Sequence, residues 1–84
     1  MTFTFKPQAT ISKGSAAVAI EISGQRNKIY GCRFQNFSDG SDECIRINNG
    51  ADYNIIRDCH FFNNNVTIND NGNGNVLSGN IEEV

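Results

Sequence analysis

The stretches "NKIYGCRFQN" (residues 27–36) and "NIIRDCHFFN" (54–63) share one residue pattern. Asn27 and Asn54, Ile29 and Ile56, Cys32 and Cys59, Phe34 and Phe61, and Asn36 and Asn63 are each 27 positions apart. A weaker third copy, "NVLSGNIEEV" (75–84), opens on Asn75 and puts Leu77 at the Ile position, Asn80 at the Cys position and Glu82 at the Phe position. Several residue types recurring at one offset mark stacked units, each burying its apolar face against the next copy of itself.

Short alternating runs separate these phrases. "VAIEI" sets Val18, Ile20 and Ile22 on one face, "CIRI" does the same with Ile45 and Ile47, and "VTI" with Val66 and Ile68. That period of two is the strand period. Each run leads into a corner rich in Gly, Asn or Asp ("SGQR", "NNGADY", "NDNGNG"). The unit therefore reads I-x-I, corner, N-x-I-x-x-C-x-F-x-N, loop. From Asn54 to Asn75 the spacing shrinks to 21. Matching Val66 and Ile68 to Ile45 and Ile47 puts all six missing residues in one loop, around "FSDGSDEC" (37–44). The 13 asparagines suit such a chain, since Asn tolerates left-handed backbone and bonds its own turn. Hydrophobic residues make up 38% of the sequence and fall in regular clusters, which argues against disorder.

Length and charge limit the functions. With 84 residues the chain holds one small domain, expected to divide into an N-terminal strand or cap (1–17) and the repeating coils (18–84). A net charge of −2 with interspersed signs lacks the basic footprint of a nucleic-acid binder. No apolar stretch is long enough to span a bilayer, so no membrane partner is expected. The start "MTFTFKPQ" has neither the charged nor the apolar region of a signal peptide, so export by that route is not expected.

The N-x-I-x-x-[CN]-x-F phrases, each preceded by an I-x-I strand, resemble the right-handed parallel β-helix of the pectate-lyase-like superfamily, which includes phage tailspikes, polysaccharide lyases and polygalacturonases. The resemblance implies an all-β, right-handed parallel β-helix (β-solenoid) of about three coils with an N-terminal capping segment. Counterparts would then stand about 4.8 Å apart. Ile29, Ile56 and Leu77, then Cys32, Cys59 and Asn80, then Phe34 with Phe61, and Asn36 with Asn63, become structural columns. A small antiparallel sandwich is the alternative, although it leaves the joint repetition of Asn, Ile and Cys unexplained. The resemblance further implies a structural module of a trimeric tailspike or tail fibre located in the virion tail. Its expected partners are two further copies of the chain and a cell-surface polysaccharide, with no cofactor and no metal. The other functional reading is a fragment or relative of a polysaccharide-cleaving β-helix enzyme.

For that second reading the candidate acidic residues are Asp39, Asp42 and Glu43, which are also the candidate ligand-binding residues, together with His60. "SDECIRINNG" is similar to the G-D-D-C-I-x-I segment of polygalacturonases, but Glu43 stands where an Asp is usual and no G-H-G or R-I-K segment is present. His60 aligns with Arg33 and is expected on the outside of a strand. The plain alternative for 38–43 is a solvated acidic loop. Cys32, Cys44 and Cys59 lack metal-ligand spacing; Cys32 and Cys59 are expected to be buried column residues, and the odd number of cysteines fits reduced thiols. The sequons at Asn36 and Asn65 are expected by chance in so Asn-rich a chain. "DNGNGN" (70–75) lacks the ligands and closing Glu of a calcium loop and is expected to be a turn.

Overall fold

The computed structural model describes residues 2–12 by their backbone and 18–83 in full. The remainder of the expected N-terminal cap, at 1 and 13–17, lies outside the described residues, as does 84. The protein is all-β. Its strands are β1 (Thr2–Ser12), β2 (Val18–Ile22), β3 (Lys28–Gln35), β4 (Glu43–Ile47), β5 (Ile55–Arg57), β6 (His60–Phe62), β7 (Val66–Asp70), β8 (Val76–Ser78) and β9 (Ile81–Glu83). No helix occurs among the described residues.

All pairings are parallel. β2, β4 and β7 form one ladder, and β3 carries two more: its first half pairs with β5 and then β8, its second half with β6 and then β9. What divides β3 is Gly31, whose φ of 67° turns the strand. The same corner recurs at Asp58 (57°) and Gly79 (68°), between β5 and β6 and between β8 and β9. Left-handed backbone also recurs at Arg26, Tyr53 and Gly74, and at Asn36 and Asn63. Left-handed conformation is costly for residues other than Gly and Asn, so its recurrence at matching positions identifies corners imposed by the surrounding stack.

β1 adds a further strand to β3. Thr2–Thr4 pair with Lys28–Tyr30 and Ala9–Ser12 with Cys32–Gln35, with an irregularity between Thr4 and Ala9. Pro7 falls in that irregularity, where its missing N–H costs no ladder hydrogen bond.

Like residues meet inside the ladders. Ile29 pairs with Ile56 and Ile56 with Leu77, Phe34 with Phe61, and Ile20 with Ile45. Phe34 and Phe61 stack with centroids 5.2 Å apart and planes 10° from parallel. Ile22, Ile29, Cys32, Phe34, Phe37, Cys44, Ile45, Ile47, Ala51, Ile56, Cys59 and Phe61 make up the buried core. At the β8–β9 end the columns open: Leu77 is 45% exposed, whereas Ile29 and Ile56 are wholly covered.

One register differs from the sequence expectation. Val66 pairs with Glu43, Ile68 with Ile45 and Asp70 with Ile47, two positions from the alignment that matched Val66 to Ile45. The six-residue difference is therefore not in one loop. Asn36 to Glu43 exceeds Asn63 to Val66 by four residues, and Ile47 to Asn54 exceeds Asp70 to Asn75 by two. The physical reason lies in the strand period. A slip of one residue turns every side chain to the other face, but a slip of two keeps the faces, so alternation alone is blind to it.

Asparagine side chains tie one level of the stack to the next in a repeated pattern. Asn54 Oδ1 accepts from the Asn27 N–H (2.7 Å) while Asn54 Nδ2 donates to the Gly24 carbonyl (3.2 Å). Asn64 does the same to the Phe37 N–H and Phe34 carbonyl, Asn75 to the Asn54 N–H and Ala51 carbonyl, and Asn80 to the Cys59 N–H and Ile56 carbonyl. In each case one amide closes the turn above it, satisfying an N–H and the carbonyl three residues earlier. Only a side chain carrying both an acceptor and a donor can do this. Asn36 and Asn63 also meet, Nδ2 of Asn63 donating to Oδ1 of Asn36 at 3.2 Å, but on the exposed outside of their corner.

Candidate functional site

The acidic loop is built on Phe37, whose buried ring and clamped N–H fix the point where the four extra residues leave the stack. Asp42 Oδ2 accepts from the Asp39 N–H (3.0 Å) and the Asp42 N–H donates back to the Asp39 carbonyl (3.0 Å). From the neighbouring level, Asn65 Nδ2 donates to the Gly40 and Asp42 carbonyls at 3.1 and 3.2 Å. The loop is thus held from within and from below.

Its carboxylates have three different environments. Residues 38–41, Asp39 among them, are exposed, as expected of a solvated acidic loop, but Asp42 is 1% exposed and closes the loop, which that expectation does not describe. Glu43 accepts from Arg46 Nε (2.6 Å) and from Asn69 Nδ2 (2.8 Å). The Arg46 hydrogen bond holds the Glu43 carboxyl below its ordinary value of 4.5 against the opposing effect of burial, and Asn69 adds to the lowering. Arg46 also lies 3.9 Å from Glu21, on the outside of the β2–β4–β7 ladder. His60 is on a different ladder, β6, where its Nε2 contacts the Glu83 carboxylate. Among the described residues no three His, Cys, Asp or Glu side chains are grouped to hold a metal ion.

A proton-donating carboxyl must keep its proton near the working pH, and a base must reach its substrate. Glu43 is biased toward the charged form and tied to Arg46, while Asp42 is occupied in the loop's own structure. The arrangement rigidifies an insertion.

The thiols are packing groups. Cys32 Sγ is directed at the Tyr30 carbonyl and Cys59 Sγ at the Arg57 carbonyl, each at 3.5 Å, and all three cysteines are free and buried. Burial first, then the neighbouring Cys59, pushes the Cys32 thiol up to about 12. Burial likewise pushes Cys44 up to about 12, with Asp42 and Glu82 adding to the effect. Cys59 is also raised by burial, partly offset by hydrogen bonds from Cys32 and the Gly31 backbone.

Outward faces carry a feature that the sequence reading missed. Arg57 lies over the Tyr30 ring at 4.4 Å, Arg26 over Tyr53 at 5.7 Å and Arg33 over Phe62 at 5.8 Å. Tyr30 with Arg57 and Arg26 with Tyr53 are both separated by 27, so the signal was an arginine and an aromatic at the repeat offset. Each such pair contributes about 0.5–1 kcal/mol at an exposed site. Around them Phe62 (37%), Val76 (49%), Tyr53 (57%) and Ile81 (60%) are open to solvent. No protein-family model, curated protein or solved structure matches the chain.

Proposed function

We propose that the protein is a structural module of parallel β-helix type, three-sided and right-handed like the pectate-lyase-like superfamily, working in a trimeric appendage of the tailspike or tail-fibre kind. The observation that carries the β-helix reading is the return of the same residue types to the same place on three parallel ladders, closed at the corners by repeated asparagine clamps. Rigidity is what such a stack supplies. Each level is bonded to its neighbours through both backbone and amide side chains, an arrangement suited to bearing load along the stack.

The tailspike assignment rests on the resemblance of the repeated phrases, and the trimer on that resemblance and on the apolar outward groups. Tyr30, Ile55, Phe62 and Val76 lie on adjacent strand faces and are the surfaces offered to neighbouring subunits. Aromatic and arginine groups left uncovered by the trimer are the candidate contacts to a cell-surface polysaccharide. Light scattering during size-exclusion chromatography is expected to give three times the 9.3 kDa chain mass, and a well-folded monomer at micromolar concentration would refute the trimer.

A further inference from the structure

Three Asn-Gly steps occur in the chain, at 49–50, 71–72 and 73–74. This dipeptide is open to an intramolecular reaction. The glycine backbone nitrogen, unhindered by any Cβ, attacks the asparagine side-chain carbonyl carbon Cγ. A new N–Cγ bond forms, the Cγ–Nδ2 bond breaks, and the amide leaves as ammonia with the proton given up by the attacking nitrogen. Water then opens the cyclic imide at either carbonyl, yielding aspartate or isoaspartate with no change of oxidation state. Reaction requires the peptide between the two residues to rotate and the glycine N–H to be free, so hydrogen bonding at the step controls its rate.

The three steps differ in that respect. At 71–72 the Gly72 N–H donates to Asp70 Oδ1 (3.0 Å) and the Asn71 N–H to the Ile47 carbonyl (2.9 Å). A Cβ built on Gly72 would lie 2.0 Å from the Ala51 carbonyl oxygen, so this backbone is pressed against the level above. At 73–74 the Asn73 carbonyl, part of the peptide that must rotate, accepts from the Tyr53 N–H (3.0 Å), while the Asn73 N–H is held by Asp52 Oδ1 (2.9 Å).

Asn49 and Gly50 are both exposed, and neither has a hydrogen bond to any described residue. They are the central pair of a turn closed by the Ala51 N–H on the Asn48 carbonyl (3.0 Å), with Gly50 at a φ of 86°. That is the geometry of a type II turn, whose central peptide can rotate without breaking the closing bond. They are also the two residues by which this corner exceeds its counterparts. Ile22 to Asn27 and Asp70 to Asn75 are both five, against seven from Ile47 to Asn54.

We propose that Asn49–Gly50 is a deamidation site of the native protein, the one Asn-Gly step at which the fold leaves the reaction open. Because the pair has no counterpart in the adjacent levels, the longer backbone of an isoaspartate there leaves every ladder register unchanged. The product is a folded stack with one added negative charge beside β4.

The test compares native protein with urea-unfolded protein, incubated at mildly alkaline pH and mapped by tandem mass spectrometry that separates aspartate from isoaspartate. Native protein is expected to convert Asn49 at least about tenfold faster than Asn71 or Asn73, which must first break local hydrogen bonds. In urea all three should convert at similar rates. Gly50→Ala should suppress the native reaction, and the converted protein should keep its thermal midpoint. Conversion of Asn71 or Asn73 in native protein as fast as Asn49, or an Asn49 that reacts only in urea, would overturn the proposal.

Discussion

Asn54 carries more of the fold than its polar character suggests. Its side chain is fully buried, with Oδ1 on the Asn27 N–H and Nδ2 donating to the Gly24 carbonyl and to Asn75 Oδ1 (3.0 Å). Asn54→Asp removes both donors and sets a carboxylate against two acceptors. The expected cost at neutral pH is about 3 kcal/mol, read from the urea midpoint. Burial raises the folded-state pKa of the introduced carboxyl above its unfolded value, so the variant binds more protons folded than unfolded. Its loss relative to the parent should therefore shrink as pH falls toward the ordinary carboxylate range and grow as pH rises. A variant as stable as the parent at pH 7 would remove the clamp from the account.

Elements are joined here by corners of unequal length, and the corner between β4 and β5 has two residues that the others do without. Deleting Asn49 and Gly50 gives it the five-residue span found from Ile22 to Asn27 and from Asp70 to Asn75. The shortened chain is expected to fold with the same strand content and a thermal midpoint within about 5 °C, since 1 kcal/mol moves a domain of this size by roughly that much. Circular dichroism melts are the check. Loss of cooperative unfolding would mean that the extension is needed to reach Asn54, contrary to the register of β4 with β7. The loop at 38–42 differs, because Asp42 and the Asn65 bonds build it into the stack.

Over the whole molecule, pH is expected to limit stability from both sides. The Cys32 and Cys44 thiols are raised from 9.0 to about 12 when folded. Above pH 9 the unfolded chain releases thiol protons that the native state keeps, so stability falls between about pH 9 and 12. At the acid end Glu43 acts oppositely. Its folded value is held below 4.5, so its contribution is present above the unfolded value and lost as pH falls through the folded one. Urea midpoints across pH should fall at both ends, with Cys44→Ala flattening the alkaline limb and Glu43→Gln the acid limb. In native protein a thiol reagent should label Cys32, Cys44 and Cys59 slowly, and rapidly after denaturation. An alkaline limb unaffected by Cys44→Ala would assign it to other groups.

The sequence by itself determined the columns. Ile29 over Ile56, Phe34 over Phe61 and Cys32 over Cys59 were legible because a parallel stack sets identical positions against each other, and what packs well against its own copy is repeated in the chain. Glu82 in the phenylalanine column was legible for the same reason, since Phe61 pairs with Glu82. Tertiary structure alone decided the register of β7, because a two-residue slip leaves the alternation of faces intact and only the pairing of Glu43 with Val66 distinguishes the two. It also decided the burial of Phe37 and Asp42 and the direction of each asparagine clamp. Those depend on which backbone groups a corner leaves unpaired, and that is fixed only when the next level of the stack lies beneath it.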